Sequence, residues 1–154
     1  LRALTEEQLA AELKKELDKE GLTYNEAHLG KIAIMMSERA TFPKDLLTEG
    51  LFLFSTPSEY NEKTASKKWT AESAGMMQDL ATRFKILDAF TEEHIEAAFK
   101  AYLEEKELGF GKVGPSFRLA LTGKGMGPSM FAICEVLGKD EVLARIEKAV
   151  AILG

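Results

Sequence analysis

The chain has 154 residues, of which 45% are apolar, and its formal net charge at pH 7 is −5. This length and composition suffice for a core without metals or disulfides, and the single cysteine excludes an internal disulfide and a cysteine-rich zinc site. No apolar run approaches the roughly 20 residues that cross a bilayer, and no signal peptide opens the chain. We therefore expect a cytoplasmic protein without membrane contact. Because residue 1 is a leucine, we also expect it to be a piece of a longer chain.

The first part of the sequence is predicted to form amphipathic helices. In "TEEQLAAELKKEL", Gln8 follows Thr5 by three residues, which is the spacing of a capping box, and leucines recur at every fourth position. Gly21 is the expected end of this helix. A second helix is predicted to begin after Asn25, and a third to carry Pro43 in its first turn, where the missing N–H costs nothing.

The stretch "STPSEYNEKTASKKW" is the least periodic part of the chain, so we place an internal boundary near residues 55–68. This divides the chain into residues 1–60 and residues 61–154. Two long amphipathic helices follow, and the second is predicted to begin after Thr91 and to end at Gly109. The sequence "KDEVLARIEKAVAIL" closes the chain as a further helix. Because β-branched alternation is absent, we predict an all-α fold with about eight helices in two small subdomains.

The tripeptide Gly–Pro–Ser occurs twice within residues 111–131. Each copy is predicted to begin a short helix, because glycine allows a bend, proline fits a first helical turn and serine satisfies free N–H groups. Gly123 and Gly138 are the expected ends of these helices, which the link "TGKGMG" would join. Two helix N-termini would then lie close together, and such ends favour phosphate.

Three cations lie in the same region, Lys112, Arg118 and Lys124, and no Asp or Glu occurs between Leu108 and Cys134. A local cationic surface can bind nucleic acid even in an acidic protein, because charges act within about 8 Å in physiological salt. The pattern is consistent with a surface for phosphate or single-stranded RNA. A helical hairpin that needs its glycines only for turns remains the alternative.

The sequence "KVGPSFRLALTGKGMGPSMFAICEVLGKDEVLARIEKAV" resembles the C-terminal end of bacterial glutamyl-tRNA synthetases. The shared pattern is a proline, an arginine separated by two residues from Leu-Thr-Gly, a short link, a second proline, and a Leu-Gly-Lys helix. It extends over residues 112–150 with its spacing kept. The resemblance implies that the chain is the anticodon-binding region of an ATP-dependent glutamate–tRNA ligase, with two helical subdomains that form a helical cage.

The resemblance also implies which residues contact RNA. Arg118 falls on the family's anticodon-contacting arginine, and Gly127, Pro128 and Met130 fall on residues that line the anticodon site. Arg39, in "SERATF", is the candidate for an arginine that reads the last anticodon base. Arg118 follows the apolar Phe117 directly, so helical geometry turns it about 100° away, toward the link and the second helix.

The basic residues Lys112 and Lys124 complete the predicted RNA-binding set. The expected partner is the anticodon stem-loop of tRNA(Glu), and we expect a monomer that binds neither DNA nor a membrane. ATP and Mg²⁺ are expected only in the catalytic domain of the parent enzyme, whose motifs do not occur here. We therefore expect no cofactor in this chain and neither glutamate activation nor ATP hydrolysis by it.

Other residues with reactive side chains are assigned structural roles. His28 and His94 lack the spacing of a metal site, Cys134 is expected to be a buried thiol, and Trp69 is expected to pack at the start of a helix rather than to stack on RNA. A helical protein-interaction domain remains the alternative function. A small stand-alone enzyme is disfavoured because no paired acid and base groups are evident.

Overall fold

The computed structural model describes residues 4–22, 24, 26–37, 50–57 and 59–154. Within these ranges the chain forms eight α-helices and one 3-10 turn, with no strand, which confirms the predicted all-α fold class. The residues group into two compact units, Leu1–Ser55 and Thr56–Gly154. The assignment of residues 1–60 and 61–154 to separate anticodon-binding subdomains stays a prediction.

The first unit contains α1 (Glu6–Glu20), α2 (Glu26–Ser37) and a 3-10 turn (Leu51–Leu53). The predicted capping box is present: the Thr5 side chain accepts from the Gln8 N–H, and the Gln8 side chain accepts from the Thr5 N–H. Gly21 ends α1 in the left-handed conformation, at φ 67°. The buried face of α1 packs against that of α2; it consists of Leu9, Leu13 and Leu17. The predicted cap Asn25 and the helix of Pro43 lie outside the described residues.

The described residues of the second unit form six helices. They are α3 (Glu62–Lys68), α4 (Ser73–Lys85), α5 (Glu92–Lys106), α6 (Phe110–Thr122), α7 (Met130–Leu137) and α8 (Lys139–Leu153). Phenylalanines from four of these helices meet in one core: the ring of Phe99 lies 5.4 Å from that of Phe117 and 5.3 Å from that of Phe131, and Phe84 lies 5.6 Å from Phe117. Such offset and tilted ring pairs stabilise a core beyond their buried area.

The prediction that the first Gly–Pro–Ser begins a helix is wrong. Helix α6 begins at Phe110, with Gly109 at its N-cap, and Pro115 lies inside it. Ser116 is buried rather than exposed at a helix end; its Oγ donates to the Lys68 carbonyl at 2.8 Å and lies 3.2 Å from the Ser73 hydroxyl. This serine therefore joins three helices, a long-range role that local sequence does not reveal.

The second Gly–Pro–Ser does precede a helix, although proline is not in its first turn. Ser129 is the N-cap of α7 and accepts from the Ala132 N–H, so Pro128 lies before the cap. The predicted pair of neighbouring helix N-termini is therefore absent here. The C-terminal end of the 13-residue α6 adjoins the link, whereas its N-terminus lies at Phe110. Gly109 also does not end α5; Glu107 does so, in the left-handed conformation at φ 54°.

The helices of both units are short or carry many charged residues. No helix within the described residues is long and apolar enough to cross a membrane.

Candidate RNA-binding site

The link between α6 and α7, residues 123–129, begins at a corner fixed by one threonine. The Thr122 hydroxyl donates to the Arg118 carbonyl at 3.0 Å, and its oxygen accepts from the Lys124 N–H at 3.1 Å. It thereby ties the last turn of α6 to the link, in the way that threonine hydroxyls commonly fix turns. The Leu-Thr-Gly sequence is thus a structural corner.

Glycine is required at the start of the link for two reasons. Gly123 has φ 74°, and a Cβ at this position would lie 2.5 Å from the Glu59 carbonyl oxygen. The Gly123 carbonyl accepts from the Asn61 N–H at 2.8 Å, so the link runs directly against the segment that leads into α3. Gly125 continues this contact, since a Cβ there would lie 2.5 Å from the Thr64 hydroxyl.

A buried arginine holds the same corner from the side of α8. Arg145 is 2% exposed, and its Nη1 donates to the Leu121 carbonyl at 2.8 Å. Its Nε donates to the Glu141 carboxylate at 3.3 Å, and Glu141 also accepts from the Thr56 hydroxyl at 2.9 Å. Burial lowers the pKa of Arg145, and Glu141 opposes that shift. An arginine stays protonated nonetheless, so the corner is held by a charge-assisted hydrogen bond.

Arg118 lies against the far end of the link, in agreement with its helical spacing from Phe117. Its Nη1 donates to the Pro128 carbonyl at 2.7 Å. A Cβ on Gly127 would lie 3.1 Å from the same nitrogen, so glycine permits the close approach of guanidinium and backbone. Arg118 is half-buried rather than a solvent-facing side chain. It therefore fixes the link and reaches the predicted site residues Gly127 and Pro128 together.

The two other predicted cations, Lys112 and Lys124, both occupy exposed positions. Lys124 lies on the link and is exposed. Lys112 is paired with the Glu72 carboxylate at 2.5 Å, so the expectation that no acid neutralises it is wrong. The acid lies 40 positions away in sequence, at the N-cap of α4, and a count of nearby acids could not find it.

Of the two methionines nearest Pro128, one side chain is buried and the other is exposed. Met130, a predicted site residue, is 3% exposed and belongs to the core. Met126, which no sequence pattern singles out, is 82% exposed on the link. A contact from position 130 to a ligand would therefore come from its backbone, whereas position 126 presents its whole side chain.

A family model described as "Anticodon binding domain" matches residues 7–150. The chain belongs to this family. It is 34% identical over 142 residues to the glutamate–tRNA ligase of Christiangramia forsetii, covering 92% of this chain and 28% of that protein. It is 43% identical over 119 residues to the glutamate–tRNA ligase of Phocaeicola vulgatus, covering 77% of this chain and 24% of that protein.

Solved structures agree with the family assignment. The crystal structure of a glutamate tRNA ligase from Elizabethkingia meningosepticum, in complex with its amino acid, has a TM-score of 0.94 and 36% identity over 99% of this chain. A glutamate-tRNA synthetase from Elizabethkingia anophelis has a TM-score of 0.86 and 34% identity over 98% of the chain. This anticodon-binding domain spans 30% and 29% of the lengths of those two chains.

The remaining candidate residues of the anticodon-binding domain lie away from the link or outside the described residues. Arg39 falls outside the described residues, and its predicted role stays a prediction. The His94 Nδ1 lies 2.6 Å from the Thr91 hydroxyl, at the first turn of α5. Within the described ranges, no three His, Cys, Asp or Glu side chains form a group that could hold a metal ion.

Two further side chains of the domain pack in or against the core. Cys134 is fully buried, and burial raises the pKa of its thiol. Trp69 packs against the core of the second unit, as expected. Its Nε1 is buried and has no hydrogen-bond partner among the described atoms. Neither side chain belongs to the link.

Proposed function

We propose that this anticodon-binding domain recognises the anticodon of tRNA(Glu) as the C-terminal part of a glutamate–tRNA ligase. The observation that carries the proposal is the bond from Arg118 to the Pro128 carbonyl, which brings together the arginine and the link residues implied by the family resemblance. The matched family and the ligases that share this domain support the same function.

The chemistry of an anticodon suits such a link. Single-stranded bases in RNA are recognised by stacking on planar or apolar groups and by hydrogen bonds at their edges. The guanidinium of Arg118 offers a planar face and a fork of donors. The exposed thioether of Met126 adds an apolar surface, and the exposed Lys124 adds positive charge. Together these groups supply stacking, edge contacts and phosphate attraction within one short segment.

The rigidity of the link also supports recognition. Thr122, Asn61, Arg145 and Arg118 each hold its backbone or the adjacent turn by a hydrogen bond of 3.1 Å or less. A preorganised surface loses less entropy on binding than a flexible loop does. The link can therefore select among bases by shape.

The parent enzyme supplies the chemistry in this proposal. ATP and Mg²⁺ would bind in its catalytic domain, and glutamate would be attached to tRNA(Glu) there. The isolated domain would act as a monomer in the cytoplasm, without catalytic activity and without DNA or a membrane as partner. The helical protein-interaction alternative is not favoured, because the matched family is defined by anticodon binding.

The proposal is tested with two RNA hairpins that differ only in the loop. One carries the anticodon stem-loop of tRNA(Glu), and the other has its three anticodon bases replaced. We expect the chain to bind the first hairpin at least tenfold more tightly, from about 1–3 kcal/mol per base contact by analogy with base readout in DNA. Equal affinity for both hairpins, or no binding to either at low salt, would contradict the proposal.

A further inference from the structure

We propose that the exposed lysines of α3 bind backbone phosphates of the anticodon arm, beside the link that reads its bases. The lysine face consists of Lys63, Lys67 and Lys68, all of which are exposed. This inference rests on the proposed function, and it adds a second surface that contributes affinity without base selection.

The lysine face adjoins the link through direct backbone contacts. The Asn61 N–H, one residue before α3, donates to the Gly123 carbonyl at 2.8 Å. A Cβ on Gly125 would lie 2.5 Å from the Thr64 hydroxyl, so the first turn of α3 lies against the middle of the link. An RNA loop that binds the link would therefore have its backbone beside α3.

Helical geometry places the three lysines around Thr64. At about 100° per residue, Lys67 and Lys68 lie about 60° and 40° to either side of Thr64, and Lys63 lies about 100° away on the side of Lys67. Glu62, the one acid of α3, lies about 160° from Thr64. Lys67 and Lys68 thus lie on the side of α3 that faces the link and Lys63 lies at its edge, whereas Glu62 is on the opposite side.

The charges of this face are not neutralised within the described part of the chain. No carboxylate there lies within 4.0 Å of the ammonium groups of Lys63, Lys67 or Lys68. Lys112, by contrast, is paired with Glu72. An unpaired cluster of one sign in a chain of net charge −5 is complementary to a polyanion.

Tertiary contacts hold the lysine face in position despite the short length of α3. Asn61 caps its N-terminus by accepting from the Thr64 N–H at 2.9 Å. At the other end, the Lys68 carbonyl accepts from the buried Ser116 hydroxyl at 2.8 Å. Trp69 follows and packs against the core. A seven-residue helix is marginal alone, so these contacts decide where its lysines lie.

The chemistry of lysine predicts a contact with phosphate rather than with a base. An ammonium group is a compact point charge that suits phosphate, whereas bidentate base recognition favours arginine. Phosphate contacts set position and affinity but carry no sequence information. The lysine face should therefore strengthen binding to every anticodon arm by the same factor.

The test compares two double variants of the 154-residue chain. Lys63→Gln/Lys67→Gln removes two charges from the lysine face. Lys85→Gln/Lys148→Gln removes the same charge from α4 and α8, and Lys85 lies at the end of α4 remote from Ser73 and α3. Glutamine keeps the length and helix propensity of lysine closely enough to preserve the three helices that carry these substitutions. Circular dichroism melting checks that each variant is folded.

Affinity for the tRNA(Glu) hairpin and for the hairpin with replaced anticodon bases is measured over a range of salt concentrations. For the lysine-face variant we expect weaker binding. Its log–log salt slope should be shallower by about 0.7–0.9 for each phosphate that the variant no longer neutralises. The ratio of affinities for the two hairpins should not change. The control variant should retain the wild-type slope.

The outcomes separate this inference from the proposed function. If wild type discriminates between the hairpins but the lysine-face variant has the wild-type slope, the inference is overturned and the proposed function stands. A changed discrimination ratio would also overturn it, since it would indicate base contacts. If wild type binds both hairpins equally and the slope still falls, anticodon reading fails while a phosphate surface remains. Absence of all binding overturns both.

Discussion

The Arg118 guanidinium donates to the carbonyl of Pro128, ten residues later in the chain, over 2.7 Å. Two residues implied as separate contacts to RNA are therefore parts of one unit. A hydrogen bond from a charged donor contributes about 1.5–3 kcal/mol. Arg118 consequently stabilises the link before any ligand is bound, and the same Nη1 lies beside Gly127.

Replacement of Arg118 should affect both stability and recognition. For Arg118→Ala we expect at least tenfold weaker binding to the tRNA(Glu) hairpin and a loss of about 1–3 kcal/mol in the free energy of unfolding. Arg118→Lys keeps the charge but lacks the forked N–H donors of the guanidinium, so its affinity should lie between those of wild type and Arg118→Ala. Fluorescence anisotropy and urea unfolding measure these quantities. Wild-type affinity in Arg118→Ala would show that the arginine has no part in recognition.

Alanine substitutions at Gly123 and Gly75 compare a glycine that the backbone requires with one that it does not. Gly123→Ala should destabilise the chain by at least 1–2 kcal/mol, which is about the cost of a left-handed conformation, and the clash with the Glu59 carbonyl adds to it. Gly75 lies in α4, and a Cβ there would meet no atom within 4 Å. Gly75→Ala should therefore stabilise the chain by about 0.8–1 kcal/mol. Urea unfolding measures the stability of both variants. Similar effects of the two substitutions would contradict a specific requirement for glycine at position 123.

Tyr102 should make stability fall at high pH. Its side chain is 2% exposed, and its hydroxyl donates to the Asp79 carboxylate at 3.0 Å. Burial, the larger cause, and this hydrogen bond, the next, raise the pKa of Tyr102 from 10.0 to about 12. The protonated phenol is thus favoured in the folded state. Its contribution, on the order of 2 kcal/mol, is present below pH 10 and lost as the pH rises through about 12.

The measurement is urea unfolding across this pH range for wild type and Tyr102→Phe. The variant lacks the ionisable group, so its stability should fall less steeply between pH 10 and pH 12. A parallel tyrosinate absorbance titration should lose its last-titrating tyrosine in the variant. Identical pH profiles would mean that Tyr102 is not the group responsible.

Cys134 should be inert in the folded protein. Because the thiol is fully buried and burial raises its pKa, the reactive thiolate is scarce and inaccessible. A chromogenic thiol reagent at pH 8 should react only on the timescale of unfolding, and should find one thiol in denaturant. Rapid reaction without denaturant would place Cys134 at an accessible site.

Some local signals in the sequence predict the local structure correctly, whereas the first Gly–Pro–Ser and Gly109 do not mark the helix ends expected of them. The capping box of Thr5 and Gln8, and the position of Arg118 relative to Phe117, depend on residues within a few positions of each other. The buried position of Ser116 does not follow from local sequence, because its partner, the Lys68 carbonyl, is 48 positions away. Its neighbour Pro115 consequently lies inside a helix that tertiary contacts support, against the usual preference of proline.

In the candidate site too, features that depend on sequence neighbours are predictable, and features that depend on residues far away in the sequence are not. The link and its arginine were predicted from spacing and resemblance. Arg145 was not, because in sequence it is an ordinary charged residue of an amphipathic helix. Its burial depends on the Leu121 carbonyl, 24 positions earlier. In sequence the exposed lysines of α3 likewise belong to a polar break, since a seven-residue helix leaves little periodicity.

Trp69 is the only tryptophan of the chain, and it lies in the second unit between the lysine face and the core. Tryptophan emission therefore reports on that unit alone, whereas far-ultraviolet ellipticity reports on helices in both. Unfolding curves from the two signals coincide only if the units melt as one cooperative system. A displaced pair of curves would assign a separate stability to each unit without any mutation, label or truncation.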